Sequence, residues 1–352
     1  MDSTAHDQTN HTRLFEPIVD RSLFAAAQAI IRARSCRVSS DQMLEDLKDL
    51  LHSQRSHDDE AFSNLASVAH IRNQSAVRGA VMAQGPHECP GEARWSINQI
   101  PYDRVDRSRI EWNRQLFYLL TSASFIEITS DLYTRNLIEF FDDDDETVDW
   151  LRSEWEPEEL QHGLALKRYV QAAWPAFDWE QAYHSFFAEF AGTCSVEALE
   201  SCFALELVAR CVVETGTSSF YRMIVEASPE PVLTELASHI AADEVRHYKH
   251  FYRYFRKYCE QEQPGRLAIF RTLLGRTTEI QSEDALIAFK HIYLAENPHS
   301  EFDSAKYAAY RKGIKRLAKE HFPQEMATKM ILKPLGLGPT ASHMIVPVVT
   351  SV

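Results

Sequence analysis

The sequence has little glycine, a shortage of positive charge and no long apolar run. Only 11 of its 352 residues are glycine, which disfavours turn-rich β-sheet architectures and suits long helices. Its 37 lysines and arginines face 51 aspartates and glutamates, which gives a formal net charge of −14. Because a nucleic-acid-binding surface needs basic patches opposite phosphate, this balance argues against a general nucleic-acid partner.

The chain also lacks paired cysteines and any recognisable targeting segment. Its six cysteines include no Cys-x-x-Cys pair, and its first residues, MDSTAHDQTNHTRLF, contain no basic segment followed by an apolar one. No run of about 18 apolar residues is present, so no membrane-spanning helix is expected. Together these absences predict a cytoplasmic protein with reduced thiols and no membrane partner.

The distribution of helical patterns predicts five segments along the chain. Residues 1–20 are polar and without periodicity, which is typical of disorder, and residues 21–107 have the pattern of a helical extension followed by an irregular connection. Long, nearly unbroken helical patterns fill 108–262, shorter helices are expected over 263–335, and residues 336–352 form a tail. The expected fold is all-α, with a central four-helix bundle and additional helices before and after it.

Local start signals divide the central segment into helices. We predict long helices at 108–141, 146–172, 196–227 and 230–262, with a shorter one at 178–191. Ser108 and Glu111 match a capping box at the first start, and Ser228 with Pro229 matches a cap and an N1 proline at the last. The acidic run Asp142–Asp145 suits a helix N-terminus. A calcium loop is the alternative there, but the run lacks the spaced ligands and the glycine of such loops.

Two Glu-x-x-His units lie on the predicted helices. They are Glu159-x-x-His162 on the second long helix and Glu244-x-x-His247 on the fourth. Residues three apart share one helix face, so the carboxylate and the imidazole of each unit can reach one metal ion. This combination of ligands suits iron, manganese or zinc.

A carboxylate-bridged di-metal bundle also needs one glutamate from each of the other two helices, at the height of the two units. Measured along the helices from the turns that join them in pairs, Glu127, Glu159, Glu214 and Glu244 all lie about 21–26 Å away, at a rise of about 1.5 Å per residue. Glu206 is a weaker candidate for the third helix, about two turns off this level.

Surface glutamates and ordinary histidines are the alternative interpretation. Glu127, however, stands in the apolar stretch 116–128, and Glu214 follows two valines, so both are expected to be buried. Four buried carboxylates repel one another, and two divalent cations would compensate for the repulsion. A third unit, residues 296–299, contains a proline that interrupts any helix, so we interpret it as accidental.

Three segments resemble the ferritin-like diiron proteins, and among these the soluble acyl-carrier-protein desaturases. Residues 155–163, WEPEELQHG, are similar to the desaturase segment W-x-x-E-E-x-x-H-G. Residues 240–247, IAADEVRH, are similar to I-A-A-D-E-x-R-H, and residues 214–217 match E-x-x-T. The resemblance covers roughly residues 110–260.

The resemblance implies a complete site. Its six metal ligands would be Glu127, Glu159, His162, Glu214, Glu244 and His247, holding two iron ions or a manganese–iron pair, with Glu159 and Glu244 as the bridges. Asp243 would orient a ligand histidine, and Thr217 would handle protons while the O–O bond is cleaved.

Other members of the superfamily fit this chain less well. Ribonucleotide reductase small subunits have a radical tyrosine where this chain has Leu166, and arylamine N-oxygenases have a further ligand histidine where it has Ile240. His239 is adjacent, but it points about 100° away on a helix. Ferritins are much shorter, so iron storage is disfavoured.

The expected function is that of an O2-dependent non-haem diiron enzyme acting on an apolar substrate, with an external electron donor such as a ferredoxin. The resemblance favours desaturation of an acyl chain bound to a carrier protein. The alternatives are a monooxygenase that hydroxylates, or an N-oxygenase, acting on a small biosynthetic intermediate, and oxidative C–C cleavage also stays open. From another class, a non-enzymatic iron- or ligand-binding protein is the alternative. The resemblance also implies a homodimer.

A carrier protein is acidic, so its docking surface should be basic. Two basic runs are candidates for this surface, and ordinary solvated helix faces are the alternative. One run contains Arg246, Lys249, Arg253, Arg256 and Lys257, and the other contains Arg311, Lys312, Lys315, Arg316 and Lys319.

Overall fold

The computed structural model describes residues 95–192, 199–279 and 283–336. These residues form helices and connections with no β-strand among them, which confirms the predicted all-α class. The predictions for residues 1–20, for most of 21–107 and for nearly all of the tail lie outside the described residues. No helix in the described ranges is both long and apolar enough to cross a membrane.

Eleven helices of six or more residues make up the described part of the chain. The first five are α1 (Arg114–Ile128), α2 (Ser130–Phe140), α3 (Asp145–Trp150), α4 (Glu156–Ala173) and α5 (Trp179–Phe190). The next six are α6 (Phe203–Ala227), α7 (Pro231–Glu262), α8 (Arg266–Glu279), α9 (Glu283–Glu296), α10 (Ser304–His321) and α11 (Gln324–Leu332). A π-helical turn, Leu151–Trp155, joins α3 to α4 without a break.

The start of the first helix differs from the prediction. Ser108 is not a helix cap, because the side chain of Asp106 accepts a hydrogen bond from its backbone N–H and caps a single helical turn that ends at Ile110. The long helix begins only at α1, where the side chain of Asn113 accepts from the backbone N–H of Leu116 at 3.0 Å. Side chains that can accept from the backbone are frequent in this stretch, so the sequence offers several competing caps.

The starts of the third and fourth long helices also shift. The cap of α7 is Glu230, whose carboxylate accepts from the backbone N–H of Leu233 at 2.8 Å, and the N1 proline is Pro231. The predicted cap at Ser228 is therefore wrong by two residues. The third helix begins at Phe203 rather than near 196, because the backbone of Cys202 is extended.

Four helices, α1, α4, α6 and α7, carry the predicted ligands. α6 and α7 are joined by a short turn and pack along each other, α1 packs on α4, and α4 also contacts α7. α8 and α11 pack on α6, and α9 contacts α1 and α5. The positions of the two Glu-x-x-His units on α4 and α7 therefore bring them to the contact between the two helix pairs.

Gly163 allows α4 to approach α1 closely. A Cβ atom at Gly163 would lie 2.5 Å from the backbone nitrogen of Ile128 and 2.6 Å from its Cγ1. These are distances that real side chains do not tolerate, and the neighbouring backbone belongs to Glu127. The glycine is therefore required for the contact that brings Glu127 next to α4.

Gly163→Ala is expected to lower the free energy of unfolding by about 1–3 kcal/mol, the usual effect of overpacking, although alanine is ordinarily the better helix former. Gly216→Ala is the matched control, since a Cβ there meets no atom of the described residues within 4 Å and should stabilise α6 by up to about 1 kcal/mol. Urea unfolding of both variants measures the contrast. Equal effects of the two substitutions would contradict the close approach.

Candidate metal centre

The six residues predicted as ligands come together in the interior, and all six are buried. They form two groups of four in which one ligand atom from each residue lies within 4.8 Å of the others. The first group is Glu127, Glu159, His162 and Glu244, and the second is Glu159, Glu214, Glu244 and His247. The two glutamates common to both groups are those that the resemblance assigns as bridges.

The weaker candidates are not part of this cluster. Glu206 is buried, but its Oε1 lies 2.8 Å from Nε of Arg210, one turn further along α6. His239 and His299 belong to neither of the two groups found among the described residues. Matching heights along the helices therefore selected the residues that converge.

Burial and mutual repulsion raise the pKa of three of the four glutamates. Burial, together with the charges of Glu159 and Glu244, raises the pKa of Glu127 well above its ordinary value. Burial and the charge of Glu244 raise the pKa of Glu159, and burial raises that of Glu214 to about 8. With a pKa of about 8, Glu214 retains its proton at neutral pH when no cation is bound.

Glu244 is the exception. Burial by itself would raise its pKa, but the neighbouring rings of His162 and His247 lower it well below the ordinary value. Hydrogen bonds to Asp243 and Glu158 raise the pKa of His162 and His247, respectively, well above normal against the effect of burial, and Glu244 adds to both shifts. The metal-free site is thus a mixture of carboxylates and protonated groups, and protons occupy positions that a cation could take.

His162 is oriented by the carboxylate predicted for that role. Its Nδ1 faces the cluster, 3.3 Å from Oε1 of Glu244, and its Nε2 lies 3.0 Å from Oδ2 of Asp243. An ionised carboxylate can only accept, so Nε2 carries a proton and Nδ1 faces the cluster. In the neutral imidazole this arrangement leaves the lone pair of Nδ1 for a metal ion.

His247 has the same arrangement with a partner that the sequence analysis missed. Its Nδ1 lies 3.0 Å from Oε1 of Glu159, and its Nε2 lies 2.8 Å from Oε2 of Glu158. Glu158 stands directly before a predicted ligand glutamate, as Asp243 does. Placing the two Glu-x-x-His segments one above the other would have identified it.

Glu127 and Glu214, which each belong to only one of the two groups, accept hydrogen bonds from aromatic side chains. The hydroxyl of Tyr221 donates to Oε1 of Glu127 at 2.6 Å, and Nε1 of Trp155 donates to Oε1 of Glu214 at 3.2 Å. Trp155 ends the π-helical turn, a kind of distortion that is frequent at functional sites. Tyr221 lies two turns after Glu214 on α6, a relation that the sequence alone did not single out.

Thr217 lies one hydrogen bond from a shared glutamate. Its Oγ1 donates to Oε2 of Glu244 at 2.7 Å, and the backbone oxygens of Val213 and Glu214 lie 3.3 Å away. The predicted position beside the cluster is therefore observed. The predicted role in proton handling stays a prediction.

The cluster fits divalent cations. Oε2 of Glu214 and Oε1 of Glu244 are buried and make no hydrogen bond within the described part of the chain. Buried oxygens without partners are costly, and facing carboxylates add repulsion, so a metal ion would relieve both. Carboxylate oxygen and imidazole nitrogen are donors that suit iron, manganese or zinc.

Comparison with known proteins adds no relative. No model of a protein family matches the chain, and no curated protein matches it either. The function of this chain must therefore be inferred from the buried cluster itself, which unites four glutamates and two histidines in two groups suited to metal ions.

Proposed function

We propose that this chain is a ferritin-like four-helix bundle, formed by α1, α4, α6 and α7, and a non-haem diiron enzyme that uses O2 to oxidise an apolar substrate. The observation that carries the proposal is the buried pair of ligand groups with two glutamates in common. Designed and natural di-metal carboxylate bundles use this ligand set, with one glutamate on each of two helices and a Glu-x-x-His on each of the other two.

The residues divide between two metal positions. Glu127 and His162 would hold one iron ion, and Glu214 and His247 the other, with the remaining two glutamates shared. When bound, the iron ions would supply the redox chemistry that O2 reduction requires, which no amino-acid side chain provides. The same donors accept manganese, so a mixed pair is compatible with the set.

The chain's own residues position the predicted ligands. Tyr221 and Trp155 each bind one oxygen of a terminal glutamate and leave the other for metal. Leu166 stands where the reductase subunits named above have a radical tyrosine, and Ile240 stands where the N-oxygenases have a further histidine. Both residues are fully buried. Leucine and isoleucine can neither form a tyrosyl radical nor bind a metal ion, so these positions do not support the chemistry of those relatives.

Desaturation of a carrier-bound acyl chain is the reaction that we propose. Two hydrogens leave adjacent carbons of the chain, and O2, two electrons from a ferredoxin-type donor and two protons complete the balance as two water molecules. Thr217, hydrogen-bonded to Glu244, is positioned to hold a proton beside the site.

The basic face of α10 suits an acidic carrier better than that of α7. On α7, Arg253 lies 3.8 Å from Glu146 and Lys257 lies 3.4 Å from Asp144, so these cations already have acidic partners. On α10 the exposed cations Lys312, Lys315, Arg316 and Lys319 make no ion pair with any described residue. We therefore place the carrier on α10.

Charge reversal on α10 tests this placement. Lys315→Glu combined with Arg316→Glu is expected to raise KM for an acyl-carrier substrate by about tenfold or more and to leave kcat unchanged, because rim charges act mainly on association. The matched control is Arg256→Glu on α7. An equal rise in KM for both variants, or no rise for either, would exclude α10 as the docking face.

The reaction itself is tested with iron-loaded protein, a reduced ferredoxin, O2 and saturated acyl-carrier protein, with the product analysed by mass spectrometry. Desaturation predicts the loss of two hydrogens. A gain of one oxygen would instead identify a hydroxylase. Iron oxidation that is independent of substrate and ends in mineral would identify an iron-handling protein and reject the enzyme proposal.

A further inference from the structure

The two Glu-x-x-His segments are copies of one pattern, and each carries an acidic residue directly before its ligand glutamate. These residues are Glu158 on α4 and Asp243 on α7. Each binds the histidine of the opposite helix: Glu158 lies 2.8 Å from His247, and Asp243 lies 3.0 Å from His162. The exchange is reciprocal, so the orientation of each histidine depends on the other helix.

The residue directly before the ligand histidine differs in charge between the two segments. Immediately before the ligand histidine, α4 has Gln161 whereas α7 has Arg246. Nη1 of Arg246 donates to Oδ1 of Asp243, and Nη2 donates to Oε2 of Glu158 at 2.9 Å. One guanidinium therefore binds both of the carboxylates that orient the histidines.

This contact has the geometry that only arginine provides. A guanidinium presents several donors in a rigid planar fork, so it can bind two carboxylates at once and fix the angle between them. Both carboxylates belong to buried residues, while the side chain of Arg246 is 43% exposed. The basic residue that the sequence analysis grouped with a docking surface is thus engaged at the edge of the metal centre.

We propose that Arg246 couples the two metal positions, because it is a positioning residue that sets the orientation of both ligand histidines. The inference rests on the proposed diiron function and deepens it. Its consequence is that a change at Arg246 alters the affinity of both metal ions together, whereas a change at either carboxylate alters mainly one.

Anaerobic titration of the full chain with Co(II), followed by absorbance and calorimetry, tests the coupling. Arg246→Gln introduces the residue that α4 carries at the matching position, and it is expected to weaken both binding steps by about 10- to 100-fold, the usual effect of losing a partner of a ligand histidine. Asp243→Asn and Glu158→Gln are each expected to weaken one step.

A double variant distinguishes loss of histidine positioning from a general loosening of the fold, because positioning predicts that the losses in metal affinity do not add. Once Arg246→Gln has removed the shared contact, adding Asp243→Asn should cause little further loss, because both substitutions act on one network. Additive losses would point to a structural effect and contradict the coupling. Arg253→Gln, two turns further along α7 and exposed, is the matched control and should leave both steps unchanged.

The outcomes distinguish this inference from the function on which it rests. Wild type that binds fewer than two Co(II) ions would reject the di-metal proposal. Two ions in wild type, with one step or neither weakened in Arg246→Gln, would reject only the coupling. If Arg246→Gln fails to fold, Arg246→Lys replaces it in the titration, since a single ammonium cannot reproduce the two-pronged geometry of the guanidinium. Unchanged Co(II) binding in Arg246→Lys would overturn the proposal.

Discussion

Glu159→Ala is expected to abolish tight binding of both metal ions, whereas Glu127→Ala is expected to weaken only one of them. Glu159 contributes a ligand atom to both groups, and Glu127 contributes to one. A lost ligand should cost more than the about 10- to 100-fold that removal of a partner of a ligand costs. Anaerobic Co(II) titration, with the two steps resolved, measures the difference.

The control for this comparison is Glu235→Ala, which removes an exposed glutamate from α7 and should leave both binding steps unchanged. Folding of the metal-free variants provides a second check. Removing one of several mutually repelling buried carboxylates should not unfold the chain, because repulsion is relieved as the cavity forms. Similar losses in Glu159→Ala and Glu127→Ala would contradict the shared position of Glu159.

Metal binding is expected to stabilise the fold, and more so at pH 8 than at pH 6. The pKa values of Glu127, Glu159, Glu214 and both histidines are raised, so above the ordinary pKa of each group the folded metal-free protein binds protons that the unfolded chain has released. The native state then binds more protons than the unfolded state, so its stability falls as the pH rises. Each retained proton contributes about 1.4 kcal/mol per pH unit.

Glu244 does not reverse this trend. Its lowered pKa gives a contribution that is lost only on acidification, and between pH 6 and 8 the group is ionised in both states. Saturating metal should add about 4 kcal/mol when the free ion is about 1,000 times Kd. Urea unfolding with Co(II) and with chelator, at both pH values, measures this. If the free energy of unfolding of the metal-free protein rose from pH 6 to pH 8, the folded state would not bind the extra protons predicted here.

The sequence predicted which residues converge, because helix geometry is regular. A spacing of three residues puts a carboxylate and an imidazole on one face, and a constant rise per residue fixes the height of each glutamate. Glu127 and Glu214 could therefore be selected, and Glu206 demoted, without knowledge of how the helices pack. The structure brings the selected residues together.

Contacts between helices were harder to predict. Glu158 and Arg246 act across the interface of α4 and α7, and Arg246 was grouped with surface cations because its charge alone gave no sign of its two partners. Tyr221 was missed because nothing in its own helix marks it as a donor to Glu127 on α1. Two predicted helix starts were wrong for a local reason. Asp106 and Glu230, rather than the nearby Ser108 and Ser228, accept the backbone hydrogen bonds that cap these helices.

The number of iron ions bound per chain after anaerobic loading with Fe(II) tests the central claim most directly. Desalted wild-type protein, analysed for metal and shown by circular dichroism to be helical, should hold about two iron ions per chain, as expected for the two groups of ligands around Glu159 and Glu244. A folded protein that retains no iron, and no manganese when that ion is offered, would contradict the account.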